Sequence, residues 1–138
     1  VLGKCAAGLA VSGMLALAPP LAAEHALPYR YTVLGYLKDQ RGLPRPGVLV
    51  ELTRVKTGFS YQAESDASGL YVVVARLGDE SAGERLDLRV GGQSVPVVAR
   101  FDPADHGRER GTRVDFLGTR AVERPGLFLP TLRRFLAE

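Results

Sequence analysis

The sequence predicts an all-β fold, a seven-stranded antiparallel β-sandwich. Three observations lead there. From Tyr31 onward, apolar and polar side chains alternate with a period close to two. Turn-forming Gly, Asp, Ser and Pro residues interrupt the alternation at intervals of roughly eight to twelve residues, the spacing of a sandwich. Helical spacing is confined to the C-terminal tail, where Leu129, Leu132, Phe135 and Leu136 fall on one face.

The first strand is expected at 31–38 (YTVLGYLK), closed by a turn over 38–42 in which Asp39 bonds the backbone ahead of it. Pro44 and Pro46 keep the next loop extended, and 48–54 (VLVELTR) forms the second strand. Thr57-Gly58 turns the chain into 59–64, where Phe59, Tyr61 and Ala63 alternate with Ser60, Gln62 and Glu64. Asp66 and Gly69 then suit a tight hairpin with a bulge. The run 71–77 (YVVVARL) is the most apolar and is expected at the centre of a sheet. Residues 85–90 alternate cleanly, with Leu86, Leu88 and Val90 inward. Gly91-Gly92 signals a two-residue hairpin into 93–101, and Pro96, which lacks a backbone donor, places that strand on an edge. A charged loop from 102 to 111 leads to the last strand, 112–117. Two turns of helix cannot persist alone in water, so the tail must dock. Its own sheets are the favoured surface, ahead of a partner or a membrane, and Pro130 suits the helix start.

At the N-terminus, Lys4 precedes an uncharged apolar run over 6–18, and small residues follow at Ala22 and Ala23. This order reads as a secretory signal peptide, and the run is shorter than the ~20 residues a membrane span needs. The expected organisation is a signal peptide at 1–23, a sandwich domain at 24–118 and a tail at 119–138. The expected compartment is periplasmic or secreted. The one cysteine, Cys5, precedes the apolar run, so the processed chain is expected to carry no disulfide and no cysteine metal site. Lys and Arg number 18 against 15 Asp and Glu, interspersed along the chain. A nucleic-acid binder needs a basic stripe with interleaved aromatics, so nucleic acid is not an expected partner.

The stretch from Val33 to Leu52 reads V-x-G-x-L-x-D-x-x-G-x-P-x-x-G-x-x-V-x-L, and Asp66, Gly69 and Tyr71 add D-x-x-G-x-Y. Together these resemble carboxypeptidase regulatory-like domains of the wider transthyretin-type group. The resemblance implies a transthyretin-like Greek-key sandwich acting as an accessory module, in stability, spacing or weak ligand contact.

Sandwiches of that group that carry chemistry give residue patterns to compare. Hydroxyisourate hydrolases pair His with Arg and carry a C-terminal Tyr-Arg-Gly-Ser motif, whereas this chain closes on Arg133, Arg134, Phe135, Leu136, Ala137 and Glu138. Intradiol dioxygenases hold iron with two Tyr and two His. One of the two histidines here, His25, lies in the N-terminal lead-in. Cross-linked pilin-type domains need an Asn, and the sequence has none. No Ser or Thr sits in a G-x-S-x-G elbow. An enzyme is therefore not expected, and no catalytic, cofactor-binding or metal-ligating residue is assigned.

Two weaker readings involve histidine. Asp102, Asp105 and His106 bring the donor types of a zinc site onto one loop, yet a site needs three or four converging ligands. Cleavage after Ala22 would expose Ala23-Glu24-His25, an amino-terminal Cu(II) or Ni(II) motif. Carbohydrate binding would need exposed aromatics, for which Tyr29, Tyr31, Tyr36 and Tyr61 are the candidates. The favoured expectation is a protein-interaction or structural module of the envelope, using edge strands, the 102–111 loop or the tail, with an envelope or secreted protein as partner. A small ligand-binding protein for carbohydrate or a metal ion is the second.

Overall fold

Among the described residues, alternating side chains are realised as eight strands and one C-terminal helix: β1 (Arg30–Lys38), β2 (Leu49–Arg54), β3 (Ser60–Glu64), β4 (Leu70–Arg76), β5 (Arg85–Val90), β6 (Gln93–Val98), β7 (Gly111–Leu117), β8 (Arg120–Glu123) and α1 (Phe128–Ala137). This computed structural model describes residues 29–138. The expected signal peptide and the motif at His25 lie outside the described residues. Two four-stranded sheets form, ordered β4-β1-β7-β8 and β3-β2-β5-β6. Val33 and Leu37 of β1, with Tyr71 and Val73 of β4, share one apolar core with Leu52 of β2 and Leu88 of β5. Each fully buried side chain of this kind contributes roughly 1.5–3 kcal/mol relative to exposure. The core between the sheets therefore carries most of the fold.

The mostly β class stands, but three details differ from expectation. The strand count among the described residues is eight, because Arg120–Glu123, expected in the tail, pairs with β7 from Val114↔Glu123 to Leu117↔Arg120. The sheets are not wholly antiparallel: β7 returns after the whole second sheet and lies parallel to β1, as a long crossover allows. The apolar run at 71–77 becomes β4, which stands at a sheet edge. Its apolar character has another cause. Tyr71, Val73 and Ala75 face the core, while Val72 on the opposite face lies under α1.

Asp66 acts as foreseen, yet in a different connection. Its Oδ1 accepts the Ser68 and Leu70 amides at 2.9 and 3.0 Å. The turn is not a hairpin, because β3 and β4 belong to different sheets and the chain here crosses between layers. Gly69 has φ +83°, and a Cβ on it would run into the Leu37 carbonyl, so only glycine fits this corner. Gly91-Gly92 does join β5 to β6 in a two-residue hairpin, and β6, with Pro96, is an edge strand as expected.

The tail docks on its own sheet. Phe128 and Leu132 of α1 cover Leu34 on the outer face of β1, with Val72 and Leu129 packed alongside. Pro130 falls in the first turn, where its missing N–H costs no helical bond. The buried face is Phe128, Thr131 and Leu132. Phe135 and Leu136, expected on that face, are 39% and 65% exposed, because the helix runs past the small apolar patch that receives its first turns.

Candidate functional site

The segment between β6 and β7 is fixed by short polar contacts and one buried cation. Asp102 Oδ1 accepts the Ala104 amide at 2.9 Å, and Asp105 Oδ1 accepts the Gly107 amide at 3.0 Å. Arg110 is buried, its guanidinium carbon 4.1 Å from the centre of the Phe101 ring. Its Nη2 donates to the Asp102 and Asp105 carbonyls at 3.4 and 3.3 Å. Its Nη1 lies 3.0 Å from Asp79 Oδ1, in the 3₁₀ turn Asp79–Ser81. A planar guanidinium with several fixed donors can hold a loop in this way, and an ammonium could not.

His106 does not converge with Asp102 and Asp105. Its Nε2 lies 2.8 Å from Asp79 Oδ2, and the two loop carboxylates are turned onto loop amides. Desolvation acts to raise the Asp79 carboxyl, but His106 and Arg110 outweigh it and hold it below the usual range. Among the described residues, no three His, Cys, Asp or Glu side chains form a group that could hold a metal ion. No described helix is long and apolar enough to cross a membrane.

The four tyrosines do not make one platform. Tyr31 and Tyr61 pack on the core between the sheets, and their hydroxyls approach the Val98 and Arg76 carbonyls at 3.4 Å. Tyr36 stands on the opposite face of β1, where the Arg113 guanidinium carbon lies 5.1 Å from its ring centre. Arg113 continues to α1, donating to Thr131 Oγ1 at 2.9 Å, and both it and Arg124 pair with Asp115. This network, invisible in the sequence because its members pair across three elements, fixes the start of α1 beside the 99–110 loop.

A furrow, open to solvent, is made of three clefts of about 200, 370 and 400 Å³, the first beside Thr112 of β7 and Glu123 of β8 and the other two between that loop and α1. The first two meet at Arg100, Gly111 and Pro125, and the second and third at Arg108, Glu109 and Leu129. The third cleft is lined by Leu129, Leu132 and Leu136, with Arg108 and Arg133 beside them. Glu109, also in its lining, is held by Arg30 through two contacts of 3.2 and 2.6 Å. Sequence reasoning named the loop and the tail separately. Their juxtaposition depends on Arg110, Phe128 and Thr131, and none of these is marked by local pattern.

No family model matches this chain, and no curated protein matches it. Solved structures that match it in part include the dioxygenase domain of a dioxygenase carbohydrate-binding protein fusion from Streptomyces sp. SirexAA-E, at 17% identity over 67% of this chain and 82% of that one, TM-score 0.44. They also include 3-chlorocatechol 1,2-dioxygenase from Rhodococcus opacus 1CP, at 12% identity over 70% of this chain and 62% of that one, TM-score 0.47. Catechol 1,2-dioxygenase from Acinetobacter sp. ADP1 is a third, at 14% identity over 65% of this chain and 45% of that one, TM-score 0.38. The chain thus spans less than two thirds of the length of the latter two enzymes. The matched chains are dioxygenases, so the expectation that this chain is not an enzyme is withdrawn. At these identities and TM-scores the matches assign no activity to this chain.

Proposed function

We propose that the chain is a protein-interaction module of the periplasm or extracellular space, and that its partner docks in the furrow between the 99–110 loop and α1. The observation that carries this reading is the half-used helix. α1 spends Phe128 and Leu132 on its own sheet, yet leaves Leu136 exposed in the lining of an arginine-rimmed cleft, with Phe135 also exposed on the same helix. Exposed apolar side chains grouped beside a polar rim are the composition of a contact surface. The signal-peptide-like order of residues 1–23 supports export, and the V-x-G-x-L-x-D and D-x-x-G-x-Y motifs support a transthyretin-type sandwich of the carboxypeptidase regulatory-like group. Carbohydrate is the weaker ligand class, because Tyr31 and Tyr61 pack on the core while Tyr36 stands on the outer face.

The test is co-purification from an envelope extract of the producing cell. A Leu136→Glu variant should lose a partner that the parent chain retains, while Arg89→Glu, on the second sheet, should keep it. Equal capture by all three proteins would refute the furrow as the docking site.

A further inference from the structure

We infer that the occupant of the furrow is an extended acidic peptide segment of the partner, carrying leucine-like side chains between its carboxylates. This rests on the furrow being the docking site. The third cleft is the most informative part. Leu129, Leu132 and Leu136 follow one another at helical spacing and line it, while Arg108 and Arg133 are both exposed. Glu109, the acidic residue in that lining, is engaged by Arg30 in a two-point salt bridge. Arg108 has only a loose contact with Asp105, at 3.9 Å. Arg133 makes no ion pair among the described residues, and neither does Arg100, further along the furrow. An apolar strip beside uncommitted guanidinium groups complements a ligand that alternates carboxylates with aliphatic groups.

The shape selects among anionic amphiphiles. A flat lipid surface is engaged by protruding side chains, whereas Leu132 here is buried and Leu129 half-buried, reachable only by a group that enters the cleft. An isolated acyl chain favours an enclosed pocket that covers most of its surface. This furrow is open along its length, as an extended polypeptide requires.

The experiment uses the purified full chain and four probes: a fluorescein-labelled peptide alternating glutamate and leucine, its lysine–leucine counterpart, laurate, and vesicles of phosphatidylglycerol with phosphatidylcholine. The glutamate–leucine peptide should bind, and salt should weaken it. Arg108→Glu combined with Arg133→Glu should weaken it about tenfold, as loss of two rim charges implies, and Leu136→Ser should weaken it as well. Arg89→Glu should leave it unchanged. All substituted side chains are exposed, and circular dichroism checks that each variant folds. Equal binding of the glutamate and lysine peptides, indifference to the double reversal, or absence of peptide binding overturns the inference. Binding of vesicles or laurate in place of the peptide also overturns it and assigns the furrow to a membrane surface or a free amphiphile. If the envelope partner is still lost in Leu136→Glu while the peptide arm fails, the docking site stands and only the acidic chemistry falls.

Discussion

The Tyr71 hydroxyl donates to the Val114 carbonyl at 2.6 Å, a fully buried bond that reaches from β4 across β1 to β7. It fills a gap in the parallel ladder. Register between β1 and β7 runs from Thr32↔Gly111 to Leu34↔Arg113 and resumes at Leu37↔Phe116. Within the gap, the Tyr36 amide donates to Asp115 Oδ1 at 3.0 Å. Gly35 sits so close to Val114 that a Cβ would overlap its carbonyl. Two side chains thus do what backbone pairing does elsewhere, and the glycine makes room for them. Tyr71→Phe should cost about 1–3 kcal/mol, the penalty of leaving a buried carbonyl unpaired, measured by urea unfolding. Gly35→Ala should cost more, since backbone rather than a mobile side chain must move.

The same phenol makes stability fall in alkali. Burial, and then the Asp115 charge, hold Tyr71 well above its ordinary value, and burial followed by the Glu123 charge pushes Tyr31 up to about 12. Both are raised in the folded state, so the stability they contribute is intact below the unfolded value near 10 and is lost as pH climbs through the folded ones. Denaturant midpoints should be insensitive to these groups below about pH 10 and then fall, with Tyr31 alone accounting for about 1.4 kcal/mol per pH unit until about 12. Tyrosinate absorbance from this pair should appear together with loss of the β circular-dichroism signal.

Arg110 predicts a local effect. Replacing it with Met keeps the stem over Phe101 but removes the donors to the Asp102 and Asp105 carbonyls and the ion pair with Asp79. Hydrogen exchange should then accelerate across 102–110, with β2 and β5 protected as before. Uniform acceleration through both sheets would show that the loop is part of the global unit.

Leu132→Ala should release α1. The side chain is nearly sealed between Leu34 and Phe128, and such truncations cost about 2–5 kcal/mol. A helix of this length does not persist undocked, so helical signal should fall while the β signal is retained.

Much of the sheet was legible in the residues themselves. Clean alternation at 85–90 gave β5 with its boundaries, Pro96 gave an edge, and Asp66 with Gly69 gave a turn. What stayed hidden depends on partners distant in sequence. That so apolar a strand as β4 stands at an edge is explained by α1 covering Val72, which no local pattern reports. The parallel β1–β7 pairing is a matter of topology, and the four residues of β8 are too few to show a period. For the candidate site, the 102–111 loop and the tail were each named from composition. The furrow between them required Arg110 and the Arg113–Thr131 contact, whose members look in sequence like ordinary exposed polar residues.

The most direct test of the docking claim is site-specific photo-cross-linking in the living producer cell, with a photoreactive residue at Leu136, at Arg108, or at Arg89 as the control. The account predicts one shared protein adduct from the first two positions and none from the third. Adducts from Arg89 alone, or from all three positions alike, would contradict it.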